Sequence, residues 1–304
     1  METDILVLGA GELGMAMLNS LSRLAPSGTS ISVLLRPSSI SSPSSAQAAN
    51  LSQIRALNIS IVPGDISSSE SQLAEIFKPY GLIISCLGFA SGPGSQLKIA
   101  RAVLQAGVKR YFPWQFGVDY DEIGRGSAQD LFDEQLDVRD LLRGQAGTEW
   151  VIVSTGMFTS FLFEEYFGVA EWEKGVVRAL GGWENKVTVT TPEDIGRLTA
   201  EIVFSKSRIA NQIVYTAGET VSYATLADYV QETKGMKVEK EVWSVDKLKK
   251  DLEASPNNAV NKYRVVFAQG RGVSWDKEKT FNWEKGIEVQ GVRDWMMENL
   301  EKRY

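Results

Sequence analysis

Ile5-Leu6-Val7-Leu8-Gly9-Ala10-Gly11-Glu12-Leu13-Gly14 sets four apolar residues directly before three glycines spaced Gly-x-Gly-x-x-Gly. An apolar-periodic run, Leu13 to Leu24, follows. The pattern predicts a strand over Asp4 to Leu8, a tight turn, and a helix. The spacing has a mechanism: Gly9 makes the turn, Gly11 lets backbone approach a pyrophosphate, and Gly14 lets helix and strand pack closely. Amides at the helix start then face an anion. Gly9, Gly11, Glu12, Leu13 and Gly14 are therefore the first candidate residues of a dinucleotide site.

Which dinucleotide is a question of charge. An NAD site offers a carboxylate about 20 residues past the glycines for the ribose 2′-hydroxyl, whereas an NADP site places arginine beside the 2′-phosphate. Between Glu12 and Asp65 this chain has no carboxylate, and the second strand ends in Arg36-Pro37-Ser38-Ser39. Arg36 and Ser38 point to NADP(H). A later apolar run ends Ile84-Ser85-Cys86-Leu87-Gly88-Phe89. Its end should lie beside the cofactor crevice, with Gly88 admitting the cofactor and Phe89 stacking near it. Cys86 has no adjacent basic residue to activate it and reads as core.

Outward from the glycine loop, short apolar runs alternate with helix-like segments, the pattern of a parallel sheet wrapped by helices. Strands are expected at Asp4 to Leu8, Ser30 to Leu35, Ile59 to Val62, Leu82 to Cys86, Arg110 to Phe112 and Trp150 to Ser154. Helices are expected at Leu13 to Leu24, Gln72 to Phe77, Gln96 to Ala106 and Ala128 to Arg143. The expected fold is α/β: a Rossmann-type doubly wound parallel sheet over residues 1–155, with a smaller α/β substrate lobe over residues 156–304 from which some segments return to the first domain. In the second half, Thr191-Pro192-Glu193-Asp194 reads as a helix start and Ser222 as the cap of a helix over Tyr223 to Thr233. Val245 to Leu252 reads as a further helix. The serine-rich run Ser38 to Ser45 reads as a flexible surface loop.

Composition narrows the chemistry. The 304 residues include no histidine and one cysteine. Ser-His and Cys-His nucleophile pairs, histidine metal sites and intramolecular disulfides are thereby excluded. A net charge of -6 argues against a nucleic-acid surface. No apolar stretch reaches the roughly 18 residues of a membrane span, and the acidic Glu2 and Asp4 do not make a cationic leader. A cytoplasmic protein, monomeric or homodimeric, with a small-molecule substrate is the expectation.

Gly9 to Gly14 with Arg36, the segment Lys109-Arg110-Tyr111-Phe112-Pro113-Trp114-Gln115-Phe116-Gly117, and Gly181 to Lys186 leading to Asp194-Ile195-Gly196 together resemble the NmrA-like, isoflavone-reductase-like branch of the atypical short-chain dehydrogenases. Asn211 to Leu252 is similar to that family's C-terminal region, and Phe-Pro-Trp-Gln-Phe-Gly is most like fungal members. The resemblance implies a Rossmann domain, a smaller substrate lobe and NADP(H), with Pro113 near the cofactor. Members reduce phenylpropanoid or other aromatic compounds, act in secondary metabolism, or serve as dinucleotide-responsive regulators.

The chain departs from the reductases at one position. They carry a lysine on the helix after the Phe-Pro motif, where it binds the nicotinamide ribose and helps protonate substrate. Here that position is Gln135, which also falls inside the apolar stripe with Leu131, Val138 and Leu142. A neutral amide donates a hydrogen bond but does not deliver a proton. Besides Gln135, the candidates for the chemistry are Asp119 and Tyr120 in the loop after Phe116-Gly117, and Glu134 on the helix. The alternative for the acidic residues is a solvated surface, with some paired to Arg139.

The expected pocket is aromatic. Trp114, Phe116, Met157, Phe158 and Phe161, with Phe163, Tyr166 and Phe167 nearby, fall after the fifth and sixth strands, where ligands bind in this class of sheet. Such a lining suits a flat, apolar, aromatic or alkaloid-like molecule; the alternative is that several of these residues are core. Three functions stay open: an NADP(H)-dependent oxidoreductase, an NADP(H)-binding enzyme of non-redox cyclisation or rearrangement, and a dinucleotide-sensing regulator without catalysis.

Overall fold

The structure, a computed structural model, describes residues 4–300. Glu2, read above for the lack of a cationic leader, lies outside the described residues. In chain order the elements are β1 (Asp4–Leu8), α1 (Glu12–Leu24), β2 (Ser30–Leu35), α2 (Pro37–Ser41), α3 (Ser45–Ala56), β3 (Ser60–Pro63), α4 (Glu70–Phe77), β4 (Leu82–Ser85), α5 (Ser95–Ala106), β5 (Arg110–Phe112), α6 (Tyr120–Ile123), α7 (Leu131–Arg143) and β6 (Glu149–Ser154). They continue with β7 (Met157–Phe158), β8 (Ala170–Glu171), β9 (Val176–Leu180), β10 (Lys186–Thr190), α8 (Pro192–Val203), β11 (Gln212–Tyr215), β12 (Glu219–Ser222), α9 (Tyr223–Lys234), β13 (Glu239–Trp243), α10 (Val245–Ala254), α11 (Ala259–Gln269), α12 (Phe281–Glu284) and α13 (Val292–Asn299).

Two compact units emerge. The first comprises Met1–Gln115, Glu134–Val153 and Pro192–Val214; the second comprises Phe116–Asp133, Ser154–Thr191 and Tyr215–Tyr304. The first unit is a Rossmann-type sheet with strand order β11-β6-β5-β4-β1-β2-β3. Parallel pairing sets Ile5 beside Ile31 and Leu82, and Ile84 beside Phe112. The order reverses at β1, whose C-terminal end delivers the glycine turn, so the ligand crevice of this topology opens there.

The strands read as unbroken apolar runs because helices cover both faces. Leu6, Leu8, Ile83, Val103, Tyr111 and Ile152 are among the buried residues of one continuous core. Each such aliphatic side chain contributes about 1.5–3 kcal/mol on burial. On α1, Ala16 meets Gly196 of α8 so closely that a Cβ at residue 196 would stand 2.6 Å from the Ala16 carbonyl. Glycine is what lets these two helices cross. Arg110, fully buried, donates to the carbonyls of Val203 and Ile209 and so holds the chain that leaves α8.

One expectation is corrected here. The serine-rich run Ser38 to Ser45 is not a loop: it carries most of α2 and the start of α3. Ser44 Oγ accepts from the Gln47 amide while Gln47 Oε1 accepts from the Ser44 amide, a reciprocal capping box that nucleates α3.

The second unit holds two three-stranded sheets, β12-β10-β7 and β13-β9-β8. Ser222 ends β12 and caps α9, its Oγ accepting from the Thr225 amide. Phe167, fully buried, packs on Phe161 at 4.6 Å and on Phe267 at 6.3 Å between ring centres.

Candidate functional site

A cleft of about 870 Å³ opens at the end of β1. Its walls come from the glycine turn (Gly9, Ala10, Gly11), the end of β2 (Arg36, Ser39), α3 (Gln47, Asn50), the loop after β3 (Asp65, Ser67), the end of β4 (Cys86, Gly88) and the first turns of α5 (Ser95, Lys98). Each glycine of the turn has its own reason. Gly9 sits at φ +90°, and a Cβ there would lie 2.5 Å from Leu87. At Gly14 a Cβ would lie 2.3 Å from the Gly9 carbonyl oxygen, so the helix could not close on the turn. At Gly11 a Cβ would meet nothing within 4 Å. What Gly11 keeps free is cleft space, next to the N-terminus of α1, which has no side-chain cap. Helix-start amides without a side-chain cap, beside open space, are what a pyrophosphate needs.

Asn50 of α3 donates to the Ala10 carbonyl at 2.9 Å and pins the turn. Arg36 and Lys98 put two cations in the walls, with one carboxylate, Asp65. The Ser67 amide and hydroxyl hold the Asp65 carboxyl below its usual range, assisted by the charges of Arg36 and Lys98. Cys86 lines the cleft as a protonated thiol, its pKa pushed up by burial. Of the residues assigned above to the cofactor, Gly9, Gly11, Arg36 and Gly88 line this cleft. Glu12, Leu13 and Gly14 form the first turn of α1, and Ser38 lies exposed on α2. Asn50, Asp65 and Lys98 were missed, because a polar residue on a helix or loop carries no signal without the fold that brings it to the turn.

The ends of β4 and β5 form a second cluster in the same unit. Phe89 stands edge-on to Trp114 at 4.6 Å, and the Trp114 indole covers Gly88, where a Cβ would lie 3.0 Å from the ring. Gln96 Nε2 donates to the Leu87 carbonyl at 2.8 Å and holds this loop. Pro113, buried, leads from β5 into Trp114. Glu134 accepts from the amides of Gly94, Gln96 and Leu97 at 2.8, 2.7 and 3.0 Å, which makes its carboxylate the cap of α5. Arg139 is fully buried; its Nε donates to Gln115 Oε1 at 2.7 Å, and Gln115 Nε2 donates to the Gln135 carbonyl at 2.9 Å. Gln135 itself has no exposed surface, and both its Oε1 and Nε2 lack a hydrogen-bond partner.

The remaining residues named from sequence belong to the second unit. Asp119 Oδ1 accepts from the Glu122 amide and caps α6, while Oδ2 accepts from the Tyr215 hydroxyl at 2.6 Å. Tyr120 is buried edge-on against Phe132 at 4.9 Å. Phe116 and Met157 are buried, Phe158 and Phe161 are half-buried, and Tyr166 is exposed. Phe163 stacks on Trp295 at 5.1 Å. Among the described residues no cluster of acidic, histidine or cysteine side chains is arranged to hold a metal ion, and no helix is long and apolar enough to cross a membrane.

The profile of the NmrA-like family matches residues 1–283. The chain belongs to the NmrA-like family. An NmrA-like family domain-containing oxidoreductase of Gibberella moniliformis is 50% identical over 305 residues, covering 99% of this chain and 100% of the relative. A phenylcoumaran benzylic ether reductase of Betula pendula is 26% identical, covering 93% of this chain and 92% of its own. Among solved structures, that of AtPrR2 with NADP+ and (+)pinoresinol superposes with a TM-score of 0.77 at 18% identity, over 97% of this chain and 98% of the other. The NmrA-like assignment thus rests on residues 1–283 and on a relative that is 50% identical over 99% of the chain.

Proposed function

We propose that this NmrA-like protein is an NADP(H)-dependent oxidoreductase acting on a flat, apolar, aromatic small molecule of the secondary-metabolite type. The observation that carries the reading is one cleft holding both the uncapped start of α1, with open space at Gly11, and the guanidinium of Arg36. The α1 amides would hold the pyrophosphate, with room at Gly11, and Arg36 with Ser39 would receive the 2′-phosphate through charge-assisted hydrogen bonds. NADPH, when bound, would supply the hydride. The relatives support this reading by name: one is an oxidoreductase, one a phenylcoumaran benzylic ether reductase, and one solved neighbour holds NADP+ with (+)pinoresinol.

What the chain's own groups do follows from their partners. Glu134 has both carboxylate oxygens engaged in capping, and Asp119 has one in a cap and the other on the Tyr215 hydroxyl, so the reading gives them architecture rather than proton delivery. Trp114 and Phe89 offer an aromatic surface at the end of β4. Gln135 is left as a group that orients substrate, suited to a substrate whose reduction makes little demand on a protein acid. The test is loss of nicotinamide absorbance when NADPH and the protein meet a panel of aromatic enones, quinones and benzylic ethers. Consumption with stoichiometric reduced product is expected. A second reading, a non-redox rearrangement over retained cofactor, is favoured by the neutral Gln135; it predicts product formation with no change in absorbance.

A further inference from the structure

The amide of Gln135 is the one feature of this site that its own fold leaves unanswered. Its backbone is held firmly: Gln115 donates to its carbonyl, and Arg139 in turn fixes Gln115. Its neighbour Glu134 is locked to the start of α5 by three amides. The side chain that this scaffold fixes in place is fully buried, and its Oε1 and Nε2 are both without partners. Buried polar groups are nearly always paired, and leaving one unpaired is costly, so a fixed, orphaned donor and acceptor together need a reason. The Tyr111 hydroxyl, on β5, faces Ser85 of β4 inside the sheet core; Gln135 lies next to residues that build the end of the dinucleotide cleft. It is not itself in the wall of that cleft.

We infer that Gln135 recognises a substrate carrying a donor and an acceptor on adjacent atoms, as in a lactam or other cis-amide on a planar ring system. The inference rests on the function proposed above and narrows its substrate class. A primary amide meets a cis-amide with two antiparallel hydrogen bonds, Nε2 donating to the ligand carbonyl and Oε1 accepting from the ligand N–H. A simple ketone or lactone satisfies Nε2 only and leaves Oε1 buried and unpaired, the condition under which a polar site rejects an analogue strongly. Trp114, the residue before Gln115, supplies an aromatic face at the same end of the sheet, matching a flat ring. Because the amide has no accessible surface, binding requires that its cover move, and the orphaned pair favours that opening in the ligand-free protein.

The test uses the full-length protein loaded with NADP+ and two isosteric probes, 2-quinolone (lactam) and coumarin (lactone), titrated calorimetrically into the parent and Gln135→Met. The parent should bind 2-quinolone roughly tenfold or more tighter than coumarin. Gln135→Met should erase that preference and melt at a higher temperature than the parent without ligands, since a buried unpaired amide has been replaced by an apolar group of similar length. Equal affinity of the two probes in the parent, including failure of both to bind, overturns the inference, as does a preference that survives in Gln135→Met. Loss of NADP+ affinity in Gln135→Met would assign the missing partner to the cofactor and overturn it as well. If the parent takes up no NADP+, it is the proposed function that fails.

Discussion

Replacing Glu134 separates an architectural carboxylate from a catalytic one. Its two oxygens take the amides of Gly94, Gln96 and Leu97 at 2.7–3.0 Å, at the positive end of α5. Glu134→Ala removes a cap, at about 0.5–2 kcal/mol, and a favourable charge at the helix start, at about 0.3–1 kcal/mol. The expected total is about 1–3 kcal/mol, or roughly 2–10 °C in melting temperature for a domain of this size. Gln96 belongs to the same turn and holds the Leu87 carbonyl, so the loop around Gly88 loosens too and NADPH affinity falls modestly. Glu134→Gln keeps one acceptor oxygen and should lose about half the stability. Thermal unfolding and NADPH turnover of the two variants form the assay. A general acid would cost on the order of 10²–10⁴-fold in rate when neutralised, whereas a cap costs stability. Glu134→Gln melting with the parent yet losing turnover a hundredfold would refute the reasoning.

Three further predictions follow from the cleft and the second unit. Arg36→Ala should weaken NADPH roughly ten- to 150-fold, the equivalent of about 1.5–3 kcal/mol for a charged hydrogen-bond partner, and leave NADH little changed; parallel losses for both would remove the role. Gly11→Ala should fold and melt like the parent, because its Cβ enters open space, while losing NADPH affinity at least roughly tenfold; Gly14→Ala, with its Cβ 2.3 Å from the Gly9 carbonyl oxygen, should instead lose about 1–3 kcal/mol of stability. Alkaline unfolding reads Tyr229. Burial and its hydrogen bond to the Glu219 carboxylate push its phenol up to about 12. The folded state therefore holds this proton more tightly than the unfolded one, and the stability it contributes is present below the ordinary tyrosine value near 10 and lost between there and about 12. Tyr229→Phe should flatten that part of the pH–stability curve, and an unchanged curve would exclude the group.

Most of the Rossmann sheet was legible because its signals are local. The run Ile5 to Gly14 contains strand, turn and helix start in ten consecutive positions, and β2, β4 and β5 announce themselves as short apolar runs between helical periods. The serine-rich segment was misread because a capping box at Ser44 and Gln47 is easily lost in a low-complexity background. The chemistry at α7 was harder. Sequence put Gln135 inward and set Arg139 beside surface acids; Arg139 is fully buried and answers to Gln115, twenty-four residues away. Glu134 looked like a candidate acid, and only the placement of α5 gives it three amides to cap. Asn50 and Lys98 reach the cleft from helices whose polar residues are indistinguishable, in sequence, from solvated ones.

The account turns on one claim, that the cleft at the end of β1 selects a dinucleotide bearing a 2′-phosphate. Calorimetric titration of the full-length protein with NADPH and with NADH at fixed ionic strength tests it directly. One NADPH per chain, bound roughly tenfold or more tighter than NADH, is the predicted result; equal affinities, or a preference for NADH, would contradict it.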